Sequence, residues 1–490
     1  IVLVGLVVFW AMVRLPSQLQ LETYKKMLAA NGEKMEIQQL LPPRVPPQRN
    51  GADIVDKAYG LLLTYGDDWT NLPPAMRMIA PDKAIVCFEQ PDAHDNYFTN
   101  SWSNILKIVD ADHAGTEWLR QVMSHPALDF HLDYSPGIEE RLTNLTRFCA
   151  DRLAAEAVCD LRVGDTPSAR TNICAILSLV DGEHNEWLMD SQYARRVMTF
   201  RAAAASWEFL QSSNITDEDL AFLQKNWKRL EYIQALEKTI LMRRAILEST
   251  IKRMRDSEVY FKSQMSWENS SESYGDFGDD LDSTMNEIKM SYGNAMWHSS
   301  WTYSDELQML QNYQLILQTI RAIETNRFYA PAWINMMNQL NAITTSHEGG
   351  DLGVIRWMFS GYPWEGKDLE RTMQAEAAKS MVITAIALKR YQLKHGNYPP
   401  DLSLLIPEFL SVVPSDPVDG KPLRYRLKPD GTFLLYSIGP DGKDDDGDAS
   451  LIDGLSHYYW LDLRARDWVW PQAATPEEIK NYYAHPPRSY

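Results

Sequence analysis

Cysteine is scarce, with four in 490 residues, at Cys87, Cys149, Cys159 and Cys174. No two form a CxxC pair and none has metal-ligand spacing, so a cysteine metal centre is not read from them. Cys159 and Cys174 can face each other across a helical hairpin; the other reading is that all four are buried thiols. The redox compartment stays open between the two. Also missing are a nucleophile elbow, a phosphate loop, a dinucleotide fingerprint and an HExxH pair. The nearest His/acid groupings, His184-Asn185-Glu186 and His347-Glu348, lack the helical spacing of a metal pair and read as surface pairs. Glu139-Glu140 falls in the first turn of a predicted helix, where acids suit the helix dipole. No catalytic residue is nominated, and the chain is read as a non-enzyme.

Basic residues are outnumbered, 48 Lys and Arg against 66 Asp and Glu, for a formal net charge of −18. Phosphate recognition needs clustered Lys and Arg, so nucleic acid and acidic lipid are excluded as partners while cations are attracted. Long apolar runs are rare. The longest opens the chain, from Ile1 to Val13, and ends at Arg14. A spanning helix needs about 20 apolar residues. The run is shorter, but the chain has no initiator Met and begins inside the segment, so it reads as the end of a transmembrane anchor or uncleaved signal. A buried core helix is the other reading.

What is present is mostly helical pattern. A length of 490 residues implies two or three domains. Residues 1–32 read as anchor and helical stalk, stopped at Asn31-Gly32. Residues 33–50 form a proline-rich linker (Pro42, Pro43, Pro46, Pro47), expected to be extended. Residues 51–361 read as an α-helical body. Within it, Pro136-Gly137 opens a helix through Val163, and Gly164-Asp165 turns the chain into a second helix carrying Ile173, Ile176, Leu177 and Val180. A third carries Tyr193, Val197, Phe200, Ala204 and Trp207. Short-looped helices of this size stack as antiparallel hairpins. Thr216 with Asp219 predicts a capping box. Ser263 to Asp282 is a polar, acidic insertion, read as a solvated loop. Trp297, Trp301, Trp357 and Trp364 suit either a glycan- or peptide-binding groove or anchors between helices.

The stretch from Asp368 to Asp448 carries the most information. Met381, Ala385, Leu388 and Tyr391 recur at four- and three-residue steps and predict one apolar helix face. Lys389, Arg390 and Lys394 sit near its C-terminal end, Gly396 is a left-handed stop, and Pro399 and Pro400 bar a restart. Leu423-Arg424-Tyr425-Arg426-Leu427 and Thr432 to Ser437, joined by Pro429-Asp430-Gly431, predict an antiparallel hairpin. The acidic loop Gly439-Pro440-Asp441-Gly442-Lys443-Asp444-Asp445-Asp446-Gly447-Asp448 follows. A glycine-punctuated acidic loop can wrap calcium with carboxylates and carbonyls; the alternative is a flexible acidic tip. The EF-hand consensus fails, because Gly442 lies two before Asp444 and no Glu closes the loop.

These residues also carry a resemblance. Ala387-Leu388-Lys389-Arg390-Tyr391, the exit Gly396-Asn397-Tyr398-Pro399, Asp416-Pro417 with Gly420-Lys421-Pro422-Leu423 and Tyr425, and Tyr436-Ser437-Ile438-Gly439-Pro440-Asp441-Gly442 together resemble the globular domain of the major pseudopilin of type II secretion. Asp467-Trp468-Val469-Trp470 resembles its closing segment, displaced by an insertion. The resemblance implies that the loop binds calcium, with Asp441, Asp444, Asp445, Asp446 and Asp448 as the ligand pool and Asp467 as a distant ligand. Tyr458, Tyr459 and Trp460, in the insertion, are the candidate aromatic interface.

The expected fold is therefore mainly α with a C-terminal α+β domain: an N-terminal membrane helix, a helical-hairpin body, and a pilin-like long helix on a small antiparallel sheet. Residues 362–471 are the pseudopilin-like domain and 472–490 a C-terminal tail. The expected function is structural: a single-pass, membrane-anchored component of the bacterial cell envelope, its soluble part outside the cytoplasm. It would act as a scaffold, filament or secretion-like accessory protein, with calcium as cofactor and protein partners or further copies of itself. The rival reading is a peptide- or glycan-binding module that uses the helical body.

Overall fold

A computed structural model describes residues 2–62, 72–94, 99–135, 143–263, 297–326, 328–345, 363–452 and 459–485. Helix dominates. After α1 (Val2–Ala30) come α2 (Ala52–Leu62), α3 (Trp102–Arg120), α4 (Thr143–Val163), α5 (Thr166–Gly182), α6 (Met189–Gln211), α7 (Asp217–Trp227) and α8 (Ile233–Asp256). Helices α9 (Thr302–Asn326), α10 (Ala330–Thr345) and α11 (Pro363–His395) follow. The predicted hairpin of α4 and α5 forms: Asp165 caps α5 by accepting from the Ser168 N–H at 3.2 Å, and the two helices pack tightly with α6. The predicted capping box also forms, the Asp219 N–H donating to Thr216 Oγ1 and the Thr216 N–H donating to the Asp219 carboxylate. All four cysteines are free and buried, which matches the reading of buried thiols.

Helix α1 is more than a stalk. Its second half lies on α9, with Leu21 and Leu28 buried. Arg14 donates to the His298 carbonyl at 2.9 Å, and Lys25 reaches Glu248 at 2.7 Å and also pairs with Glu306. Just past the helix, Glu33 accepts from Gln314 at 3.0 Å, lies 3.2 Å from the fully buried Arg244 and pairs with Arg321 at 2.5 Å. These contacts hold the Glu33 carboxyl down at about 2 against the opposing effect of burial. No helix among the described residues is long and apolar enough to cross a membrane, so the expected membrane helix finds no support in the fold.

Helix α11 departs from the expected one-faced pattern. Met381 through Leu388 are buried without a break, so the helix is covered on every side. Body helices α6 and α7 cover it more extensively than the sheet does. The physical reason is in its residues: Met381-Val382-Ile383-Thr384-Ala385-Ile386-Ala387-Leu388 holds a single hydroxyl, which donates to the Ser380 carbonyl at 2.8 Å. Polar ties fix it laterally: Arg196 to Asp368 at 2.7 Å, Lys379 to the Leu230 carbonyl at 2.7 Å, and Gln224 to the Ile383 carbonyl at 3.1 Å. It ends as predicted at Gly396, in the left-handed region (φ +83°), whose N–H donates to the Gln392 carbonyl. One contiguous core runs from Leu21 to Trp470 across the expected body and C-terminal domain.

The strands are short. Those of the C-terminal region form an antiparallel sheet in which Phe433–Ile438 is central, flanked by Arg424–Leu427 and Asp467–Val469. A second sheet was not anticipated. It joins β1 (Arg77–Ala80) and β2 (Lys83–Ile85) of the body to Gln472–Ala473, which runs parallel to β2 with Lys83 opposite Gln472. In chain order the C-terminal strands are β3 (Arg424–Leu427), β4 (Phe433–Ile438), β5 (Asp467–Val469) and β6 (Gln472–Ala473). The expected tail is thus tied to the body. Its helix α12 (Pro476–Ala484) carries Glu478, which pairs with Lys83, and the Trp207 indole donates to the Pro471 carbonyl at 2.8 Å. Most of the acidic insertion from Ser263 to Asp282, along with Pro136-Gly137, Glu139-Glu140, His347-Glu348 and Trp357, lies outside the described residues.

Candidate functional site

The acidic loop hangs between β4 and β5, and its base is fixed by the backbone. Ile438 pairs with Asp467, and the Asp467 N–H donates to the Asp448 carbonyl at 2.9 Å. Gly439 is demanded by close approach: a Cβ there would sit 1.7 Å from the Arg466 carbonyl oxygen. This gives a steric cause for the glycine in Ile438-Gly439-Pro440. Inside the loop, three carboxylates fold back on their own backbone. Asp441 accepts from the Lys443 N–H at 3.0 Å, Asp444 from Asp446 at 3.2 Å, and Asp448 from Ser450 at 2.9 Å. Such Asx turns shape an acidic segment locally.

Cations temper the loop's charge. Arg424 Nε lies 3.2 Å from Asp444, which also accepts from the Tyr436 hydroxyl at 2.9 Å. Arg466 lies 3.7 Å from both Asp445 and Asp448, and Lys443 lies 3.8 Å from Asp441. Asp446 is exposed, with positive φ. Beneath them Asp467 is fully buried. Its Oδ2 accepts the N–H groups of Asp445 at 3.1 Å and Gly447 at 2.8 Å. Its Oδ1 has no hydrogen-bond partner, and neither has the buried Oδ2 of Asp445. Burial pushes the Asp467 carboxyl up to about 6, with Asp444 and Asp445 adding to the rise and the Gly447 N–H opposing it. Of the candidate ligands, then, Asp445 and Asp467 present free buried oxygens, while Asp444 is held by Arg424 and Tyr436. No three or more His, Cys, Asp or Glu side chains converge as a ready metal site among the described residues.

Sequence reasoning gave no role to Asp416 and Arg424, which form the hub of this region. Asp416 is fully buried and accepts from Val418 N, Ser437 Oγ, Ile438 N and Arg424 Nη1, all within 2.9 Å. Burial raises its carboxyl to about 6 against these donors. Arg424 joins Asp416, Asp419 and Asp444, so the turn before the hairpin and the acidic loop share one guanidinium. The signal was an arginine inside an alternating strand flanked by acidic turns.

The aromatic candidates separate. Trp460 is a correction: it is buried, its indole donates to the Val469 carbonyl at 3.0 Å, and it stacks edge-on with Phe200 and Trp470. An indole at a helix–sheet seam gains more from its own core than an exposed patch would offer. Tyr459 is 69% exposed, and Tyr458 lies outside the described residues. Trp297 is fully buried, an anchor and not a groove wall. Glu186 corrects the surface-pair reading, since it is buried and accepts from the Phe130 N–H and the Tyr134 hydroxyl.

No protein-family model matches the chain, and comparisons with curated proteins and with solved structures give no match either.

Proposed function

We propose that the protein is a membrane-anchored structural or assembly component of the cell envelope, whose pseudopilin-like C-terminal region is stabilised by calcium in the Asp441 to Asp448 loop. It would serve as a scaffold or accessory part of a secretion- or pilus-like apparatus, working with protein partners or with further copies of itself. Support for the calcium part rests on one observation: two buried carboxylate oxygens, Asp467 Oδ1 at the base of the acidic loop and Asp445 Oδ2 within it, lie without hydrogen-bond partners. A buried, unpaired carboxylate is costly. A hard cation with oxygen ligands would relieve it, with loop carbonyls and water supplying what the carboxylates do not. The order of long helix, hairpin, acidic loop and closing strand supports the pseudopilin likeness. The apolar run from Ile1 to Val13, ahead of the docked half of α1, supports the anchor.

The test is calorimetric titration of the full chain, stripped of metal, with calcium and then magnesium. Calcium is expected to bind saturably and raise the melting temperature, while magnesium, which dehydrates reluctantly and demands tight octahedral geometry, does so poorly. Asp445→Asn with Asp467→Asn should abolish the heat. If the native chain takes up no calcium at millimolar concentration, the loop is a charged tip and the cofactor assignment fails.

A further inference from the structure

A cleft of about 300 Å³ opens where α7, the last turns of α11 and the 402–411 segment meet. Lys225, Lys228 and Arg390 line one part of it, and Phe409, Leu410 and Ser411 another. Arg390 is already engaged. Its Nε and Nη2 donate to Asp217 at 2.7 and 3.0 Å, and its Nη1 donates to Gln224 at 3.0 Å. The same guanidinium lies 5.3 Å from the Phe409 ring centroid, so it stiffens the wall. Glu408, the acid of the lining, is taken by Lys394.

Lys225 and Lys228 remain. Both are exposed, and among the described residues neither has a carboxylate within ion-pair range. Two unneutralised ammonium groups beside a third cation are unusual in a chain with 18 more acids than bases. The crowding registers at Lys228, whose pKa is lowered by partial burial first and by Arg390 second. An anion seated between them would offset that repulsion.

We infer that this cleft binds a small organic anion, a carboxylate or phosphate group carried on an apolar ring or chain. The anionic group lies between Lys225 and Lys228, and the apolar part rests on exposed Pro407, backed by the buried Phe409 and Leu410. The volume is at the lower end of small-molecule sites, which suits a single-ring compound better than a polymer. The site is separate from the acidic loop and does not depend on calcium.

Isothermal calorimetry on the full chain, with phenyl phosphate, benzoate, inorganic phosphate and benzyl alcohol as probes, tests this. Phenyl phosphate or benzoate should bind saturably and weaken with added salt; binding of either alone supports the proposal and names the preferred anion. Inorganic phosphate should bind more weakly, and benzyl alcohol not measurably. Lys225→Ala with Lys228→Ala removes two charge-assisted contacts from exposed positions. It should lower affinity about tenfold or more with the melting temperature unchanged. Lys252→Ala, on α8, should leave affinity as it was. Phe409→Leu should weaken the ring compounds and spare inorganic phosphate. The proposal is overturned if neither phenyl phosphate nor benzoate binds at millimolar concentration, or if the double lysine variant binds them as tightly as the native chain.

Discussion

Glu208 in the body and Asp467 beneath the acidic loop are both fully buried carboxylates that hold a segment by accepting backbone N–H groups. Glu208 takes the N–H of Met76 at 2.8 Å and of Cys87 at 3.0 Å, clasping the two ends of the β1–β2 segment, and both its oxygens have partners. Asp467 takes two N–H groups on one oxygen and leaves the other without a hydrogen-bond partner. Burial raises both groups, Glu208 to about 7 and Asp467 to about 6. One anchor is complete within the protein. The other leaves one oxygen unmatched, and the calcium proposal rests on that difference.

The comparison can be broken at several points, the heaviest being Glu208 itself. Glu208→Ala strands the buried donors of Met76 and Cys87 and should cost about 2–6 kcal/mol, at roughly 1–3 kcal/mol for each orphaned group, in urea denaturation of the full chain. Glu208→Gln, which keeps an acceptor, should cost clearly less; equal losses would mean that the charge, and not the clasp, matters. Next comes the calcium increment. At free calcium 100 times the dissociation constant, the native state gains about 2.7 kcal/mol, and Asp467→Asn should erase that gain. A full gain in Asp467→Asn would place the ion elsewhere.

A third prediction concerns pH. Without calcium, folded Asp467 keeps its proton up to about 6, whereas the unfolded chain releases it near 3.8. Across that window the folded state binds more protons, so this group's contribution to stability falls as pH rises. Calcium needs the ionised carboxylate, so the calcium increment should grow over the same window. Melting curves from about pH 4 to 7, in metal-free and calcium-loaded buffer, should therefore diverge as pH rises; parallel curves would detach Asp467 from the ion. The smallest effect is expected at exposed Asp446, where Asp446→Asn should change metal-free stability by less than about 0.5 kcal/mol.

Local signals were legible in the sequence where a few neighbouring residues decide the outcome. The Gly164-Asp165 turn, the Thr216 capping box, the Gly396 stop and the Asp430-Gly431 hairpin turn are of this kind, and each forms. What escaped depends on partners far along the chain. Strands β1, β2 and β6 have two to four residues each, too few to show a period, and β6 gains meaning only beside Lys83. Four apolar positions at helical spacing in α11 suggested one apolar face because the body helices that cover the other sides are invisible locally. At the acidic loop the pool of carboxylates could be read off directly. Which of them are consumed by Arg424, Tyr436 and their own turns could not, since those contacts follow from the fold of the hairpin.

The pairing of β6 with β2 has a bearing on how the chain is made. Translation delivers Lys83, Ala84 and the Trp207 indole long before it delivers Pro471, Gln472 and Ala473. Until those arrive, a nascent chain emerging from the ribosome carries an open strand edge and a buried indole donor with nothing to receive it. Such an edge invites pairing with another chain. The body therefore reaches its final closure late, because the strand that covers β2 and the carbonyl that receives the Trp207 indole are among the last parts of the chain to emerge.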